Sequence, residues 1–344
     1  MGKRPFRAPT DGWPILDIVS HGRRPPGPSK AFSAAQIEQI RRTVRRAPEV
    51  MVKVTGGGRK IGAVAAHLAY VSHQGELDLE TDEGQRVSRA GHKELLRSWH
   101  LELSSGQYRQ PRSASAGAHG IKLVHNITLS MPAPTPPKAV LAAAKAFARE
   151  KFGAKHRYAM ALHTHQQHPH VHLVVKAEGH DGRRLHIDKA MLREWRQDFA
   201  RMMREQGVAA NATPRFVRGQ TKRGAKDAFY QTRRHARSLA LRERFEVVKR
   251  ELIATRTISD PARPRLLETR KAVVDAWNTV ALQLEAQGDV QLGDEVRYFV
   301  RHLPPVLTDR ERLAVEMIQR ARAKGPERTR DDDRRPDRTL ERSR

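Results

Sequence analysis

The chain has 344 residues, enough for one catalytic-sized domain with extensions. It carries 65 Lys and Arg against 38 Asp and Glu, a formal net charge of +27, and it has no cysteine. The positive charge points to a polyanionic partner, with a solvated basic surface as the alternative, and the lack of cysteine excludes disulfides and thiolate metal sites. No apolar run reaches the length of a signal peptide or a membrane span, so we expect a cytoplasmic protein without membrane insertion.

Composition divides the chain into four parts. Residues 1–48 are rich in Pro, Gly and Arg and are expected to form a mobile basic arm, apart from a short helix over "SAAQIEQIRRTVRR". We expect a catalytic domain over residues 49–240, a helical extension over 241–323 and a disordered charged tail over 324–344.

The predicted elements alternate between strands and helices. The stretch "VMVKVTGGG" predicts a strand followed by a tight turn, because its glycines lack the Lys-Ser/Thr of a phosphate-binding loop. Helices are predicted over "KIGAVAAHLAYVSHQGEL" and "GHKELLRSWHLEL", a strand over "IKLVHNITLSMP", a helix over "PPKAVLAAAKAFAREKFG", two strands in "HRYAMALHTHQQHPHVHLVV" and a helix over "KAMLREWRQDFARMMREQG". This order predicts an α+β fold with a central antiparallel sheet flanked by helices, followed by a helical basic C-terminal extension.

The densest chemical signal is the histidine run "HTHQQHPHVHLVV". His170 and His172 share one face of the second predicted strand because strand side chains alternate. If "THQQHP" connects a hairpin, His163 lies across from His170 with Cβ atoms about 5 Å apart. Three converging imidazoles predict a metal site with open positions for water or a substrate oxygen, whereas a structural zinc site would need a fourth protein ligand. His165 and His168 lie in the connecting turn.

The ligand set and the charge together favour phosphodiester chemistry. Nitrogen ligands bind Mn, Co, Ni or Zn more tightly than Mg, although abundance in the cell can decide. We expect one divalent ion, Mg or Mn, with Zn, Co or Ni as alternatives, which would polarise a phosphoryl group. The attacking oxygen comes from water or from a side chain, and Tyr70 is a candidate because it ends a predicted helix among polar residues. The alternative is an ordinary core or surface tyrosine.

The ordered motifs "VKVTGGG", "HLAYVSHQGEL", "ITLSMP" and "RYAMALHTHQQHPHVHLVV" resemble the conjugative relaxases and mobilisation nucleases of the HUH endonuclease superfamily, in the branch of the T-DNA border nickase. The resemblance spans about residues 50–235 and includes "AFYQTRRHA". It implies an HUH relaxase-like palm whose tyrosine nicks single-stranded DNA at an origin of transfer, leaving a 5′-phosphotyrosine link and a free 3′-hydroxyl. It also implies that Tyr70 is the nucleophile, that His163, His170 and His172 bind the metal, and that Ser130 lies near the DNA.

Two positions depart from the family pattern. His165 stands where relatives often carry an acidic residue, so the proton acceptor stays open between His165, His168 and a phenol whose pKa the metal lowers. Lys176 and Ala177 stand where the family has an asparagine.

A basic run with interleaved aromatics follows the predicted domain core and is a candidate for DNA contact, with a solvated basic linker as the alternative. The expected contacts are Arg215, Arg218, Lys222, Arg223, Tyr230, Arg233 and Arg234. The resemblance implies single-stranded origin-of-transfer DNA, accessory DNA-binding proteins and the coupling protein of a type IV secretion system as partners, a bacterial cytoplasmic location, and transfer with the DNA through a secretion channel.

Two other functions fit the same sequence. One is an HUH replication initiator or transposase, which would cut at a replication origin or an element end. The other is a non-enzymatic basic nucleic-acid-binding protein whose histidines are structural. The sequence has no ATPase motif, so a built-in helicase is not expected.

Overall fold

The computed structural model describes residues 31–101, 121–221, 239–255 and 257–324. The helices and strands are, in chain order, α1 (Ala34–Val44), β1 (Met51–Gly56), α2 (Ile61–Val71), β2 (Leu79–Thr81), β3 (Arg86–Val87), α3 (His92–Ser98), β4 (Val124–Ser130), α4 (Pro137–Phe152), β5 (Tyr158–His163), β6 (His170–Lys176), α5 (Lys189–Glu205), α6 (Leu239–Thr255), α7 (Arg263–Ala286), α8 (Val290–Arg301) and α9 (Asp309–Lys324).

The strands form one six-stranded sheet in the order β1-β4-β6-β5-β2-β3, and every neighbouring pair is antiparallel. The α+β fold with a central antiparallel sheet, flanking helices and C-terminal helices is therefore confirmed. The hairpin of β2 and β3 was not predicted from the sequence. Its strands have three and two residues, too few to show an alternating pattern.

Helices α4 and α5 cover one face of the sheet. Val171, Leu173 and Val175 of β6 point to this side and pack in one buried cluster with aromatic residues of both helices. The rings of Phe152 and Trp195 meet edge to face with centroids 5.4 Å apart. Such burial of aliphatic and aromatic area is the main favourable contribution to folding. We call this side of the sheet the apolar face.

Helices α2 and α3 cover part of the opposite face. Val64 and Leu68 of α2 pack with Ala161 of β5 and Val174 of β6 in a second buried cluster. Along the same face, His172 pairs directly with Ala161, and the row continues into further histidines. We call this side the histidine face, because its open end carries the residues from which the candidate site is built.

The glycine run after β1 is used for close packing. A Cβ atom on Gly57 would lie 2.3 Å from the Val124 carbonyl oxygen, and one on Gly58 would lie 2.4 Å from a methyl carbon of Val64. The Gly58 carbonyl also accepts a hydrogen bond from the backbone N–H of Leu123 at 2.7 Å. Any larger residue would push the turn away from β4 and α2.

The helix expected near the N-terminus is confirmed as α1, whose capping box joins Ser33 and Gln36. Ile40 of this helix is fully buried. The hydroxyl of Thr43 accepts a hydrogen bond from the Asn211 side chain at 3.0 Å, which ties the helix to the segment after α5. The described part of the predicted basic arm therefore includes a packed helix.

The described residues fall into two compact units. One draws on the described residues among 31–218 and on residues 275–302, and it contains the sheet, with Arg45 pairing with Glu295 at 2.8 Å. The other draws on the described residues among 219–274 and on residues 303–324, where Arg310 of α9 pairs with Glu251 of α6. The predicted domain limits at 48, 240 and 323 stay predictions.

Candidate functional site

Three buried histidines meet at one end of the β5–β6 hairpin. His163 ends β5 and pairs directly with His170, the first residue of β6, as the hairpin prediction requires. His172 lies two residues further on the same face, and the three side chains are 1%, 7% and 9% exposed. One ring nitrogen from each lies within 4.8 Å of the other two. Nitrogens bound to one ion at about 2.1 Å lie at most about 4.2 Å apart, so small ring rotations suffice to bind a metal here.

Hydrogen bonds fix which nitrogen two of these rings present. The Nε2 atom of His163 lies 2.6 Å from the Val71 carbonyl oxygen, which can only accept, so Nε2 carries the proton and Nδ1 keeps its lone pair. That Nδ1 atom is buried and has no hydrogen-bond partner. His170 likewise donates from Nδ1 to the His168 carbonyl at 3.0 Å, which leaves its Nε2 free. Metal-binding histidines typically donate their other nitrogen in this way, so the residues present fit a divalent ion.

The site keeps these imidazoles neutral. Burial, together with the charge of neighbouring histidines, lowers the pKa of His172 to about 3 and that of His163 to about 4. Burial also lowers the pKa of His170. A neutral imidazole has a lone pair for a metal ion at physiological pH, whereas a protonated one has none.

Tyr70 lies beside the three histidines, at the end of α2. Its ring centroid is 5.8 Å from that of His172 and 6.5 Å from that of His163. The side chain is 54% exposed, so a substrate can reach the hydroxyl. Because the next residue, Val71, accepts the hydrogen bond from His163, the end of α2 is held against the histidine cluster.

Two further histidines of the cluster were missed by the sequence reasoning. His67 lies one helical turn before Tyr70 and stacks on its ring at 5.9 Å with an angle of 22° between the planes. Its Nε2 atom is buried without a hydrogen-bond partner, and burial lowers its pKa. His73 contacts His163 and His165, with ring centroids 4.4 and 4.2 Å away. The signal was available for His67, since residues three apart on a helix are neighbours.

The two turn histidines occupy different positions. His165 is exposed, and its ring centroid lies 5.2 Å from that of His163. His168 is exposed, and its Nδ1 accepts a hydrogen bond from the Ala133 backbone N–H at 3.1 Å. Within the described ranges, Tyr70 makes its ring contacts with His67, His163 and His172.

The structure describes part of the predicted DNA-binding set. The Ser130 hydroxyl is buried and donates to the Pro169 carbonyl at 3.1 Å. Ser130 on β4 is the direct cross-strand partner of His170 on β6. Arg218 pairs with Glu49, just before β1, with N and O atoms 3.2 Å apart, and burial lowers the arginine pKa. Arg215 is exposed. The remaining candidates lie outside the described residues: Lys222, Arg223, Tyr230, Arg233 and Arg234. Contact of these side chains with DNA stays a prediction.

Comparison with protein families finds a match over the part of the chain that contains the histidine cluster. Residues 74–208 match the model of the relaxase family described as the MobA/VirD2-like nuclease domain. This region is similar to a relaxase nuclease domain. The match contains His163, His170 and His172 and begins just after Tyr70. The resemblance to relaxases of the T-DNA border nickase branch is thereby confirmed.

Similar relatives extend the relaxase likeness beyond this region. The chain is 30% identical over 215 residues to the T-DNA border endonuclease VirD2 of Agrobacterium fabrum, covering 58% of this chain and 47% of that protein. It is 28% identical over 215 residues to the protein of the same name from Rhizobium radiobacter, covering 58% and 49%. The chain thus spans about half the length of the curated relatives it matches. No solved structure gives a significant match.

Proposed function

We propose that this chain is a relaxase that nicks one strand of DNA at an origin of transfer by attack of the Tyr70 hydroxyl on a phosphodiester. The bond from the tyrosine oxygen to phosphorus forms, and the bond from phosphorus to the 3′ oxygen breaks. The products are a 5′-phosphotyrosine link and a free 3′-hydroxyl. The reverse reaction reseals the strand without ATP, because the tyrosyl ester retains the phosphoryl bond energy.

The observation that carries this proposal is an exposed tyrosine ring against a buried cluster of neutral histidines. The Tyr70 ring centroid lies 5.8 Å from that of His172, so the phenol ring directly adjoins the histidine site. A tyrosine that served only packing would bury its ring, whereas this one is 54% exposed.

His163, His170 and His172 are the residues that would hold the metal ion. When bound, a divalent ion supplies positive charge against the developing negative charge on the phosphate. The chain contributes neutral nitrogen donors held in place by backbone carbonyls at Val71 and His168. A non-metal role would leave the buried Nδ1 of His163 without a partner, at a cost of about 1–3 kcal/mol.

We propose that His67 accepts the proton that the Tyr70 hydroxyl loses when it attacks the phosphodiester. A phenol has a pKa of about 10, so it reacts at neutral pH only if a base removes its proton or the anion is stabilised. His67 stacks on Tyr70, and its lowered pKa keeps it neutral and able to accept a proton. His165 and His168 make no ring contact with Tyr70 in the described part of the chain and stay the alternative acceptors.

The proposed DNA substrate and partners rest on the positive net charge of the chain and on its sequence similarity to VirD2 endonucleases. The net charge of +27 suits a polyanion, and binding to single-stranded DNA should weaken as salt rises because bound phosphates release counterions. Arg215 and the basic residues after it are the proposed contacts. None of the described helices is long and apolar enough to span a membrane. By sequence similarity to VirD2 endonucleases, we further propose three features: accessory DNA-binding proteins as partners, a secretion coupling protein as a partner, and passage of the chain with the DNA.

Covalent trapping tests the proposal. The full chain is incubated with single-stranded DNA from the transfer region of its native mobile element, with Mn²⁺ or Mg²⁺, and denatured complexes are separated by electrophoresis. We expect a covalent adduct that Tyr70→Phe abolishes, a loss of about a thousandfold or more as for other nucleophiles. Tyr298→Phe is the matched control, because Tyr298 is also exposed, at 58%, and lies on α8.

The outcomes separate the alternatives. An adduct that survives Tyr70→Phe would overturn the assignment of the nucleophile. DNA binding without any adduct would favour a non-enzymatic binding protein, and cutting at a replication origin or an element end would favour an initiator or transposase.

The same assay tests the proton acceptor. His67→Gln should lower the nicking rate about 10²- to 10⁴-fold and remove the acidic limb of the pH–rate profile. His180→Gln, an exposed histidine after β6, is the control. A normal profile for His67→Gln together with an impaired His165→Gln would move the role to His165.

A further inference from the structure

We propose that His73, His163 and His165 form a second, outer position for the divalent ion, which exchanges with the inner position formed by His163, His170 and His172. The two positions share His163, hold one ion at a time, and allow the ion to reach the buried site from solvent. The inference rests on the proposed metal site of the relaxase and adds two ligands and a loading path to it.

The geometry of the outer position matches that of the inner one. One ring nitrogen from each of His73, His163 and His165 lies within 4.8 Å of the other two, the same limit that the inner set meets. Their ring centroids are 4.2, 4.4 and 5.2 Å apart. No hydrogen bond joins these three rings to one another in the part of the chain that the structure describes, and the Nδ1 atom of His73 lies 4.0 Å from the Glu76 carboxylate. A set of three imidazoles suits late first-row divalent ions.

The shared histidine limits the cluster to one ion. His163 donates from Nε2 to the Val71 carbonyl at 2.6 Å, so Nδ1 is its one remaining donor atom for a metal. That atom is buried, has no hydrogen-bond partner and belongs to a side chain that is 1% exposed. A single lone pair binds a single ion, so occupation of the outer position empties the inner one, and the reverse.

The backbone around His73 is bent in a way that brings its ring to the cluster. His73 has a φ of 49° and Gln74 a φ of 58°, both in the left-handed region that non-glycine residues rarely adopt. Arg89 holds this turn by donating from Nη1 to the Gln74 carbonyl at 2.9 Å. Such a backbone conformation is unfavourable for these residues and is typically found at functional sites. This turn directly follows α2 and contains His73, whose ring centroid lies 4.4 Å from that of His163.

The exposure of the ligands sets the direction of loading. His170 and His172 are buried, whereas His73 is half-buried and His165 is exposed. An ion arriving from water therefore meets His165 and His73 first. It reaches the inner position by exchanging these two ligands for His170 and His172 while His163 stays bound.

Cobalt titration tests the outer position directly. The full chain, without DNA, is titrated with Co²⁺, and the visible absorption of bound cobalt gives the stoichiometry and the affinity. Wild type should bind one ion. His170→Asn/His172→Asn should still bind one ion, about 10- to 100-fold more weakly. Adding His73→Asn and His165→Asn to this variant should remove binding. His168→Asn is the control, since His168 lies in the same turn but in neither ligand set.

The remaining outcomes are decisive. Two ions per wild-type chain would overturn the exchange, and equal cobalt binding by the two-residue and four-residue variants would overturn the outer position.

In stopped-flow mixing, His73→Asn/His165→Asn should fill the inner position about tenfold more slowly, and an unchanged rate would overturn the loading path. If the inner double variant does not fold by circular dichroism, His172→Asn alone carries the same comparison. Because DNA is absent, this result and the nicking result can fail independently.

Discussion

The two faces of strand β6 have different compositions and different tasks. Val171, Leu173 and Val175 point into a cluster of aliphatic and aromatic side chains under α4 and α5. His170 and His172 point the other way, into a group of imidazoles. Burying apolar area stabilises the fold, whereas a buried polar atom without a partner costs about 1–3 kcal/mol. The apolar face therefore stabilises a fold in which the histidine face holds buried ring nitrogens without hydrogen-bond partners.

The largest effect expected from this contrast is on folding. Phe147 of α4 is fully buried and meets Trp195 and Phe199 edge to face. Phe147→Ala should lower the free energy of unfolding by about 3–5 kcal/mol, since it removes a ring and leaves a cavity. Metal affinity should be unchanged wherever the variant remains folded. Urea unfolding and cobalt titration measure the two quantities.

Phe216→Ala is the matched control for Phe147→Ala, because the Phe216 side chain is 43% exposed. It should lower the free energy of unfolding by less than about 1 kcal/mol. A metal affinity that falls in the folded Phe147→Ala chain would show that the two faces are coupled.

The second-largest effect is expected on metal binding. In contrast to Phe147→Ala, the change at His163 should weaken metal binding with little loss of folding stability. His163→Gln should weaken metal affinity at least about a hundredfold, or about 2.7 kcal/mol, since both ligand sets depend on this ring. The amide can still donate to the Val71 carbonyl, so the free energy of unfolding without metal should change little. His180→Gln, in an exposed loop, should alter neither quantity. A metal-free chain that unfolds much more easily would mean that His163 serves the fold.

The smallest effect concerns pH and lies at the end of the apolar face. His125 pairs with Val175, and burial, aided by the charge of Lys122, lowers its pKa to about 4. In the unfolded chain, His125 has an ordinary histidine pKa of about 6.5. Between about pH 6.5 and pH 4 the unfolded chain therefore binds a proton at His125 that the folded chain does not bind. The free energy of unfolding should therefore fall as pH falls through this window and should be independent of His125 above it.

Urea unfolding at pH 7.5 and pH 4.5, in metal-free buffer, measures that decline. His125→Gln should reduce the decline, because its amide can donate to the Leu185 carbonyl that His125 contacts at 3.1 Å and does not titrate. Equal declines in the two chains would show that His125 does not resist protonation in the folded state.

Local spacing accounts for what the sequence predicted well. The pairing of His163 with His170 follows from strand alternation and a short connection, both properties of neighbouring residues. The apolar faces of the helices were predictable for the same reason. Tyr70 is different, because it meets His172 through packing between elements about a hundred residues apart. Residue spacing carries no information on that contact, and the family resemblance supplied it.

The parts that were missed depend on strain and on long-range packing. The left-handed backbone at His73 follows a helix end in which Gly75 is the one residue with an evident preference for that conformation. The hairpin of β2 and β3 is short and depends on pairing with β5. His67 was overlooked although its helical spacing to Tyr70 was visible.

The hydrogen bond from His163 to the Val71 carbonyl has one more consequence. It links a candidate metal ligand to the residue that follows the candidate nucleophile, so a displacement of either one is transmitted to the other through a single bond. The absorption spectrum of a bound cobalt ion should therefore register the docking of an oligonucleotide at the tyrosine before any strand is cut.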